Sequence, residues 1–424
     1  HRPGGRISMS ALVPSLLAAG DPLFDDGVDG AVLLIVAFKC LIGFVVYLTA
    51  VANMIWFERK VISFMQNRIG PNRAGPIGLL QTVADGIKLF TKEPLLPAKA
   101  DKSVFNLAPW LVAVPAVVVF SIIPFSVEPV EIFGRQTRLQ IADPSWGILL
   151  LLVCSSIAVY GVMLAGWASG SKYPLLGSVR ASAQMVSYEA ALSLAILAVV
   201  LFTGSLLTSE IVISQAAEGP FGYLPNWNIL RLGFLPFFVF VVAATAELHR
   251  PPFDLIEAEQ ELVGGFMTEY SAGGFMLFYF AEFGNTVTMS AIIVTLFLGG
   301  PAGPVPFGPA WLWGLAWFFL KLLVFLFMYV WLRATLPRFR YDQLMDLGWK
   351  KLIPASLVWL LALAALKSTE GDSSGRQTVT VAAVLGGGLL TYALLARAVS
   401  VGRRRTNEEE APQAEPERQL KGTA

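Results

Sequence analysis

The sequence has very few of the residues that hold redox centres. It contains two cysteines, Cys40 and Cys154, which lie far apart in apolar stretches, and two histidines, His1 and His249. Iron–sulfur clusters and structural zinc sites need several cysteine or histidine ligands grouped together. A haem held by two histidines inside a helix bundle is also excluded. We therefore expect no metal site in this chain, and any electron carrier should belong to a partner protein.

Charged residues are also scarce. Only 14% of the 424 residues are charged, 55% are hydrophobic and the net charge is +1. These values are typical of an integral membrane protein and give no indication of nucleic-acid binding. A helix needs about 20 apolar residues to cross a bilayer, and nine such stretches predict an all-α, polytopic membrane helix bundle. The predicted spans are 31–56, 104–123, 146–168, 187–207, 232–248, 273–299, 312–333, 349–366 and 378–400.

The distribution of lysine and arginine predicts how this bundle is oriented. With the N-terminus outside, 22 of the 31 basic residues lie in connections that face the cytoplasm, as the positive-inside rule requires. Residues 1–30 then form an external N-terminal segment. Residues 403–424 form a cytoplasmic tail, rich in Glu, Pro and Gln, that is expected to be disordered. The external connections are short and bland, so we expect function on the cytoplasmic face.

The first cytoplasmic connection contains an amphipathic helix. Apolar residues between Leu79 and Phe90 fall near one helical face, whereas Gln81, Asp85 and Lys88 lie mostly opposite. A helix with this pattern is suited to lying in the membrane interface. It either anchors the fold there or forms the lip of an opening through which a lipid-soluble molecule enters from the bilayer.

An acidic segment follows the fifth predicted span. Residues 247–270 carry six acidic side chains, and Glu282 continues the series inside the sixth span. The six are Glu247, Asp254, Glu257, Glu259, Glu261 and Glu269. Carboxylates joined to membrane-spanning helices are costly to hold, so the segment suggests a path for protons or charge.

The local pattern of this segment supports that hypothesis. Pro251 and Pro252 end the fifth span, and a helix that begins just after them places Asp254, Glu257 and Glu261 on one face. Like charges in a medium of low dielectric constant raise carboxyl pKa values toward working pH. The alternative is a solvated loop helix that pairs with basic residues of a neighbouring subunit.

Other charged residues lie in or beside the predicted spans. Glu189 falls near the start of the fourth span, and Lys39 and Lys321 lie within the first and seventh. A lysine inside a span should face protein or water, because lipid cannot solvate it. Arg338 and Arg340 follow the seventh span. They either obey the orientation rule or neutralise the acids of the central segment.

Four cytoplasmic stretches together carry a family resemblance. ERKVISFMQNRIGPNRAGPIGLLQTVADGIKLFTKEP, YPLLGSVRASAQMVSYE, ELHRPPFDLIEAEQELVGGFMTEYSAGGFMLFYFAEF and LPRFRYDQLMDLGWK resemble, in order and spacing, the motifs of the H subunit of the proton-pumping NADH:quinone oxidoreductase, respiratory complex I. The resemblance covers about residues 31–366. It implies a membrane-arm subunit that forms part of a quinone chamber and starts a chain of charged residues.

The resemblance also assigns expected roles to individual residues. The quinone-chamber positions match Arg59, Arg68, Asp85, Arg250, Arg338 and Arg340. The acidic proton or charge path matches Glu189, Glu247, Asp254, Glu257, Glu259, Glu261, Glu269 and Glu282. Quinone is then the bound substrate, whereas FMN and iron–sulfur clusters are expected only in partner subunits. The implied partners are peripheral-arm iron–sulfur and quinone-site subunits and small membrane-arm subunits.

Two features depart from the family pattern. Leu248, His249 and Pro251 stand where the family usually has Thr, Asn and Ala. The family usually has eight spans, here residues 31–366, whereas residues 367–402 add a ninth, C-terminal helix.

Two other functions stay open on the sequence alone. The chain would be an equivalent membrane anchor of a related membrane-bound hydrogenase or other quinone-linked dehydrogenase, or a stand-alone ion carrier whose acidic cluster binds a cation. The soluble subunits that co-purify with the chain would separate these functions. A bacterial plasma membrane is the expected location.

Overall fold

Long apolar helices dominate the computed structural model, which describes residues 21–24, 27–217, 226–254, 263–369, 386–388 and 397. The α-helices are α1 (Gly30–Met65), α2 (Gln81–Thr91), α3 (Lys102–Phe120), α4 (Gly147–Ala168), α5 (Lys172–Thr203), α6 (Thr208–Ala216), α7 (Asn228–Arg231), α8 (Phe234–Glu247), α9 (Ala272–Phe297), α10 (Ala310–Thr335), α11 (Tyr341–Leu347) and α12 (Ile353–Ser368). The chain divides into two units, residues 1–353 and 354–424. The packing and the site described below lie in the first unit.

The predicted membrane bundle is confirmed in its general form. Among the described residues, seven helices are long and apolar enough to cross a membrane: α1, α3, α4, α5, α9, α10 and the run Tyr341–Ser368. The fifth predicted span corresponds to α8, which is apolar but shorter. The ninth predicted span and the tail at 403–424 fall almost wholly outside the described residues, so the number nine stays a prediction.

The fourth predicted span begins too late. Helix α5 starts at Lys172 rather than at 187, so most of a predicted connection is helical. Its first turns carry small residues such as Gly177, Ser178 and Ala181, which are buried against neighbouring backbone. Hydropathy alone does not detect such a helix, because serine and glycine lower its apolar character while allowing close packing. At its other end, α5 stops at Gly204, which has a φ of 76° that favours glycine.

The prediction of an all-α fold was wrong in one detail. Two short antiparallel strands, β1 (Val130–Ile132) and β2 (Arg135–Thr137), form a hairpin between α3 and α4. Phe133 and Gly134 join the strands, and both have positive φ values. A hairpin loop of two residues favours this geometry. Three-residue strands are too short for their alternation to be seen in a sequence.

Both lysines within spans are solvated by protein, as predicted. Nζ of Lys39 lies 2.7 Å from Oδ2 of Asp21 and donates to Oγ1 of Thr137 at 2.9 Å. Nζ of Lys321 donates to the main-chain carbonyls of residues 298, 300 and 302 at 2.8, 2.9 and 2.8 Å. These carbonyls follow the C-terminal end of α9, where a positive charge is favourable.

The interior of the bundle is built on small residues. Helix α4 packs against α3 and α5, α5 against α8, and α9 against α3. Ala108, Ala158, Ala165 and Ala181 are buried at these contacts, which is typical of membrane helices that approach closely. Helix α9 is the most enclosed of these spans. In an apolar stretch of 18 residues, 83% of the residues of α9 are buried, against 22% for α1. A charged side chain on α9 therefore faces protein.

Gly166 is a position where two helices of the bundle pack very closely. A Cβ atom there would lie 2.4 Å from the carbonyl oxygen of Pro174, which belongs to backbone and cannot rotate away. We expect Gly166→Ala to destabilise the protein by about 1–3 kcal/mol through overpacking. The measurement is the thermal stability of the purified protein in detergent.

The matched control is Gly86→Ala in α2, where an added Cβ meets nothing within 4 Å. That change should be neutral or stabilise by up to about 1 kcal/mol, because alanine is the better helix former. Equal melting temperatures for the two variants would contradict the tight α4–α5 contact.

Candidate functional site

The first part of the site lies where α1 ends and α2 begins. Nη1 of Arg59 lies 2.7 Å from Oδ2 of Asp85, and Gln81 donates to Oδ1 of Asp85 at 3.1 Å. Partial burial raises the pKa of the Asp85 carboxyl, but the hydrogen bonds from Arg59 and Gln81 outweigh it and hold the pKa below its usual value. Asp85 is therefore an anion at neutral pH.

The opposite face of α2 is apolar and exposed. Val83, Ile87 and Phe90 are 51%, 59% and 73% exposed, and Leu79 and Leu80 just before the helix are also exposed. This pattern confirms the predicted amphipathic helix, which presents its apolar side outward and its acidic residue toward Arg59. A lipid bilayer is the medium that would cover such a face.

A buried arginine lies at the centre of the site. Arg250 is 1% exposed, and its Nη1 forms an ion pair with Glu58 of α1. Its Nη2 lies 3.9 Å from Oε1 of Glu282 on α9, and its guanidinium lies 5.0 Å from the centre of the Phe283 ring. Nη1 of Arg333 on α10 also pairs with Glu58. Arg250 thus joins α1 to the acidic residue of the most enclosed helix.

The turn that carries Arg250 is fixed from two sides. Nε2 of Gln184 on α5 donates to the carbonyls of Ala246 and Phe253, both at 2.8 Å. On the other side, the main-chain N–H of Phe339 donates to the carbonyl of Pro252 at 2.9 Å. Because the turn is held at both ends, the direction of the Arg250 side chain is set by backbone contacts.

Asp254 ends the described part of this turn. The residue is 5% exposed, and its Oδ2 lies 2.7 Å from Nη2 of Arg338. The predicted neutralisation of a central acid by the basic stretch after the seventh span is therefore present at this pair. Glu257, Glu259 and Glu261 lie outside the described residues, so the predicted acidic face they share with Asp254 stays a prediction.

A second group of acids lies deeper in the bundle. Oγ of Ser155 on α4 donates to Oε1 of Glu189 at 3.0 Å, and Ser156 donates to the same oxygen. Ser155 and Glu247, the last residue of α8, line the same small cavity. Ser155 is thus in contact with Glu189 and shares a cavity with Glu247.

The remaining predicted site residues are more peripheral. Arg68 is exposed and contacts Gln66, and Arg340 is exposed and lies 3.5 Å from Asp342. Glu269 is half-buried beside the short 3₁₀ helix at Gly265–Met267. The structure does not bring these three residues into the buried network around Arg250.

Four side chains of the network were missed as site residues from the sequence. Glu58 and Arg333 complete the buried arrangement, and the hydroxyls of Ser155 and Ser156 both donate to Glu189. Glu58 and Arg333 stand near the ends of apolar runs, where a charge usually reaches for the headgroup region. Glu58 is only 5% exposed, and this burial identifies it as part of the site. The burial is visible only in the folded chain.

The groups in this arrangement are of the kinds that can transfer charge or protons. It offers carboxyls, guanidinium groups and hydroxyls in hydrogen-bond contact, and no group of three or more metal-binding side chains occurs among the described residues. Neighbouring carboxyls in poorly solvated surroundings compete for protons, so a change of charge at one affects the others.

Comparison with known proteins places these residues within one continuous match. A family model described as NADH dehydrogenase matches residues 38–364, a range that contains every member of the network. The chain is 44% identical over 377 residues to the H subunit of the NADH-quinone oxidoreductase of Streptomyces avermitilis, covering 87% of this chain and 80% of the relative.

Two further relatives have the same name. The chain is 49% identical over 367 residues to the H subunit of the NADH-quinone oxidoreductase of Frankia casuarinae, covering 85% of this chain and 79% of the relative. It is 45% identical over 399 residues to that of Cutibacterium acnes, covering 91% of this chain and 88% of the relative.

Proposed function

Because this chain belongs to the family of H subunits of NADH-quinone oxidoreductase, we propose that it forms part of the quinone chamber and couples quinone reduction to proton translocation. The observation that carries the proposal is Arg250. This one buried cation contacts Glu58 near the Arg59–Asp85 pair and Glu282 inside the bundle. A change of charge at the chamber can therefore affect the acids between the helices through the contacts of Arg250.

The entrance of the chamber is proposed at α2. An isoprenoid quinone is apolar along its tail and polar at its head, and it reaches a membrane enzyme from the bilayer. The exposed apolar face of α2 suits the tail, while Arg59 and Asp85 lie where a polar head would pass. Arg338 and Asp254 form a second charged pair, which joins the connection after α10 to the turn after α8.

The proposed reaction needs partner subunits. FMN and iron–sulfur clusters held by partner subunits would supply the two electrons from NADH that reduce quinone, which would take up two protons to become quinol. FMN and the clusters are assigned to the peripheral subunits, and this chain supplies walls, charges and protonatable groups. A charged substrate intermediate or an uptake of protons changes the field at Arg250, Glu58 and Glu282.

The acids then pass the effect onward. Glu282 and Glu247 line one cavity, and Glu247 lines a second cavity together with Ser155, which donates to Glu189. We assign to this series the transfer of protons or of an electrostatic signal toward other membrane-arm subunits. The positive-inside bias orients Arg250 and the chamber toward the cytoplasm, and the bacterial relatives favour a plasma-membrane location.

The direct test of the chamber is photoaffinity labelling of the assembled complex with a quinone that carries an azide on its ring. We expect adducts on peptides that contain Arg59, Asp85 or Arg338, and we expect unmodified quinone to reduce the labelling. Adducts confined to other subunits would contradict the chamber assignment. Labelling restricted to the outer hairpin, 130–137, would do so as well.

A substitution at the entrance gives a second prediction. Asp85→Asn removes the anion that holds Arg59, so the apparent KM for a soluble short-chain quinone should rise several-fold. The stability change should stay below about 1 kcal/mol, because the pair is partly solvent-exposed. Since the pKa of Asp85 is lowered, its carboxylate is fully charged from about pH 6 to pH 8, and the effect should not vary with pH in that range.

The control for Asp85→Asn is Lys88→Met. Nζ of Lys88 lies 3.9 Å from Oδ1 of Asp85, but the side chain is 71% exposed, so its loss should leave KM unchanged. An unaltered KM in assembled Asp85→Asn complex would argue against an entrance at α2.

The proposed partners provide a separate check. Affinity purification of this chain from its own membranes should recover peripheral iron–sulfur subunits and small membrane-arm subunits. Recovery of hydrogenase components would instead support the anchor function, and cation transport by the chain alone in liposomes would support an ion carrier.

A further inference from the structure

Two small cavities lie on either side of Glu247. The first has a volume of about 50 Å³ and is lined by Glu247, His249, Glu282 and Asn285, together with apolar residues. The second has a volume of about 30 Å³ and is lined by Ser155, Glu247, Asn285 and Thr288. About 10–15 Å³ on this measure is enough for one water molecule. Both cavities are therefore large enough for water, and both have polar walls.

The walls present polar atoms that protein groups leave free. Within the described residues, Oε2 of Glu247, Nδ1 of His249 and Oγ1 of Thr288 are buried and have no hydrogen-bond partner. A buried polar atom without a partner costs about 1–3 kcal/mol. Three such atoms around two cavities are best satisfied by water, which makes about three hydrogen bonds in such places.

His249 differs from the other polar residues in this wall. Its backbone has a φ of 54°, a left-handed conformation in which histidine and asparagine are more frequent than most residues. The turn therefore fixes the direction of the imidazole. Burial holds the pKa of His249 well below its usual range, so the ring is neutral at working pH. A neutral imidazole has one donor and one acceptor nitrogen, and both can bind water.

We propose that His249 is a positioning residue that holds water between Glu247 and Glu282, in a cavity that Asn285 also lines. The inference rests on the proposed function, because it assigns water as the proton carrier between two carboxyls of the proposed acidic path. Water held there would accept a proton from one carboxyl and donate one to the other, so each transfer leaves the water unchanged. The second cavity continues the path from Glu247 to Ser155, whose hydroxyl donates to Glu189.

The test compares His249→Asn with His249→Leu in the assembled complex in inside-out membrane vesicles. Asparagine tolerates the left-handed backbone and keeps a donor and an acceptor, whereas leucine has a similar size and offers neither. We expect the asparagine variant to keep most of the proton-pumping rate and the leucine variant to lose about tenfold. The rate ratio between H₂O and D₂O should rise in the leucine variant, which a merely structural defect would not cause.

Asn285, which lines the same cavity, provides a second variant that keeps the proposal testable if leucine at a positive φ prevents assembly. Asn285 lies in α9, where the backbone is helical, so Asn285→Leu adds no strain of that kind. It should lower pumping to a similar extent with the same change in isotope effect. Wild-type pumping in assembled Asn285→Leu complex, or in assembled His249→Leu complex, would overturn the assignment.

Glu247→Gln separates this proposal from the proposed function. If that variant loses pumping while the leucine variants do not, the acidic path stands and the role of His249 falls. If all three pump normally, the acidic path itself is wrong.

Discussion

Arg250→Met should cause a large loss of stability. The change leaves Glu58, which is 5% exposed, and the half-buried Glu282 without the cation that they share. Removing one partner of a buried ion pair typically costs about 3–5 kcal/mol, because the other charge stays buried. We expect little assembled complex in the membrane, measured by native gel electrophoresis and in-gel NADH oxidation.

A second substitution should partly reverse that loss. In Arg250→Met/Glu58→Met, the more deeply buried of the two carboxylates that lose Arg250 is also removed, so the double variant should accumulate to a higher level than Arg250→Met alone. Arg340→Met is the matched control, because Arg340 and Asp342 are 80% and 70% exposed and such pairs contribute little. Normal amounts and normal thermal stability of Arg250→Met complex would contradict the central role of this arginine.

Glu247→Gln should cause the largest loss of activity without loss of assembly. Glutamine has nearly the same shape as glutamate and fills the same space, but it cannot gain or release a proton at working pH. We expect proton pumping to fall at least about tenfold, an increase of about 1.4 kcal/mol in the barrier. Pumping is measured in inside-out vesicles with a pH-sensitive dye, and quinone reductase activity is measured in the same vesicles.

The control for this prediction is another glutamate in a different setting. Glu131 lies in the hairpin and is exposed, so Glu131→Gln should leave both rates unchanged. Pumping at the wild-type rate in Glu247→Gln complex would show that the proton path does not pass through this carboxyl.

The fold was predictable where one physical signal dominates. Long apolar stretches predicted the seven long spans and α8, because a bilayer allows few alternatives to a helix of about 20 residues. The spacing of Val83, Ile87 and Phe90 predicted the interfacial helix. The early start of α5 was not predictable from hydropathy, since small polar residues packed against backbone carry its first turns.

The site was predictable in its members but not in its pairings. The resemblance named Arg250, and the density of acids indicated a charge path. The contact of Arg250 with Glu58 joins positions 192 residues apart in the chain, and no local pattern encodes that distance. The serines that hold Glu189 are equally hard to recognise, because serine is a common packing residue in membrane helices.

His249 illustrates how a departure from a family pattern acquires meaning from structure. In the sequence, it is only one of three residues that depart from the family pattern beside Arg250. In the fold, its left-handed backbone and the cavity between Glu247 and Glu282 give the side chain a specific neighbourhood. Sequence reasoning could not supply this, because the cavity is formed by helices that are distant along the chain.

Coupling between the chamber and the buried acids is tested most directly by infrared difference spectroscopy of the assembled complex as quinone becomes reduced. We expect a change in the carbonyl stretch of a protonated carboxyl group, present in the wild-type complex and absent in Glu247→Gln. A spectrum in which quinone reduction changes no carboxyl band, or in which the same band persists in Glu247→Gln, would contradict the coupling of the chamber to these acids.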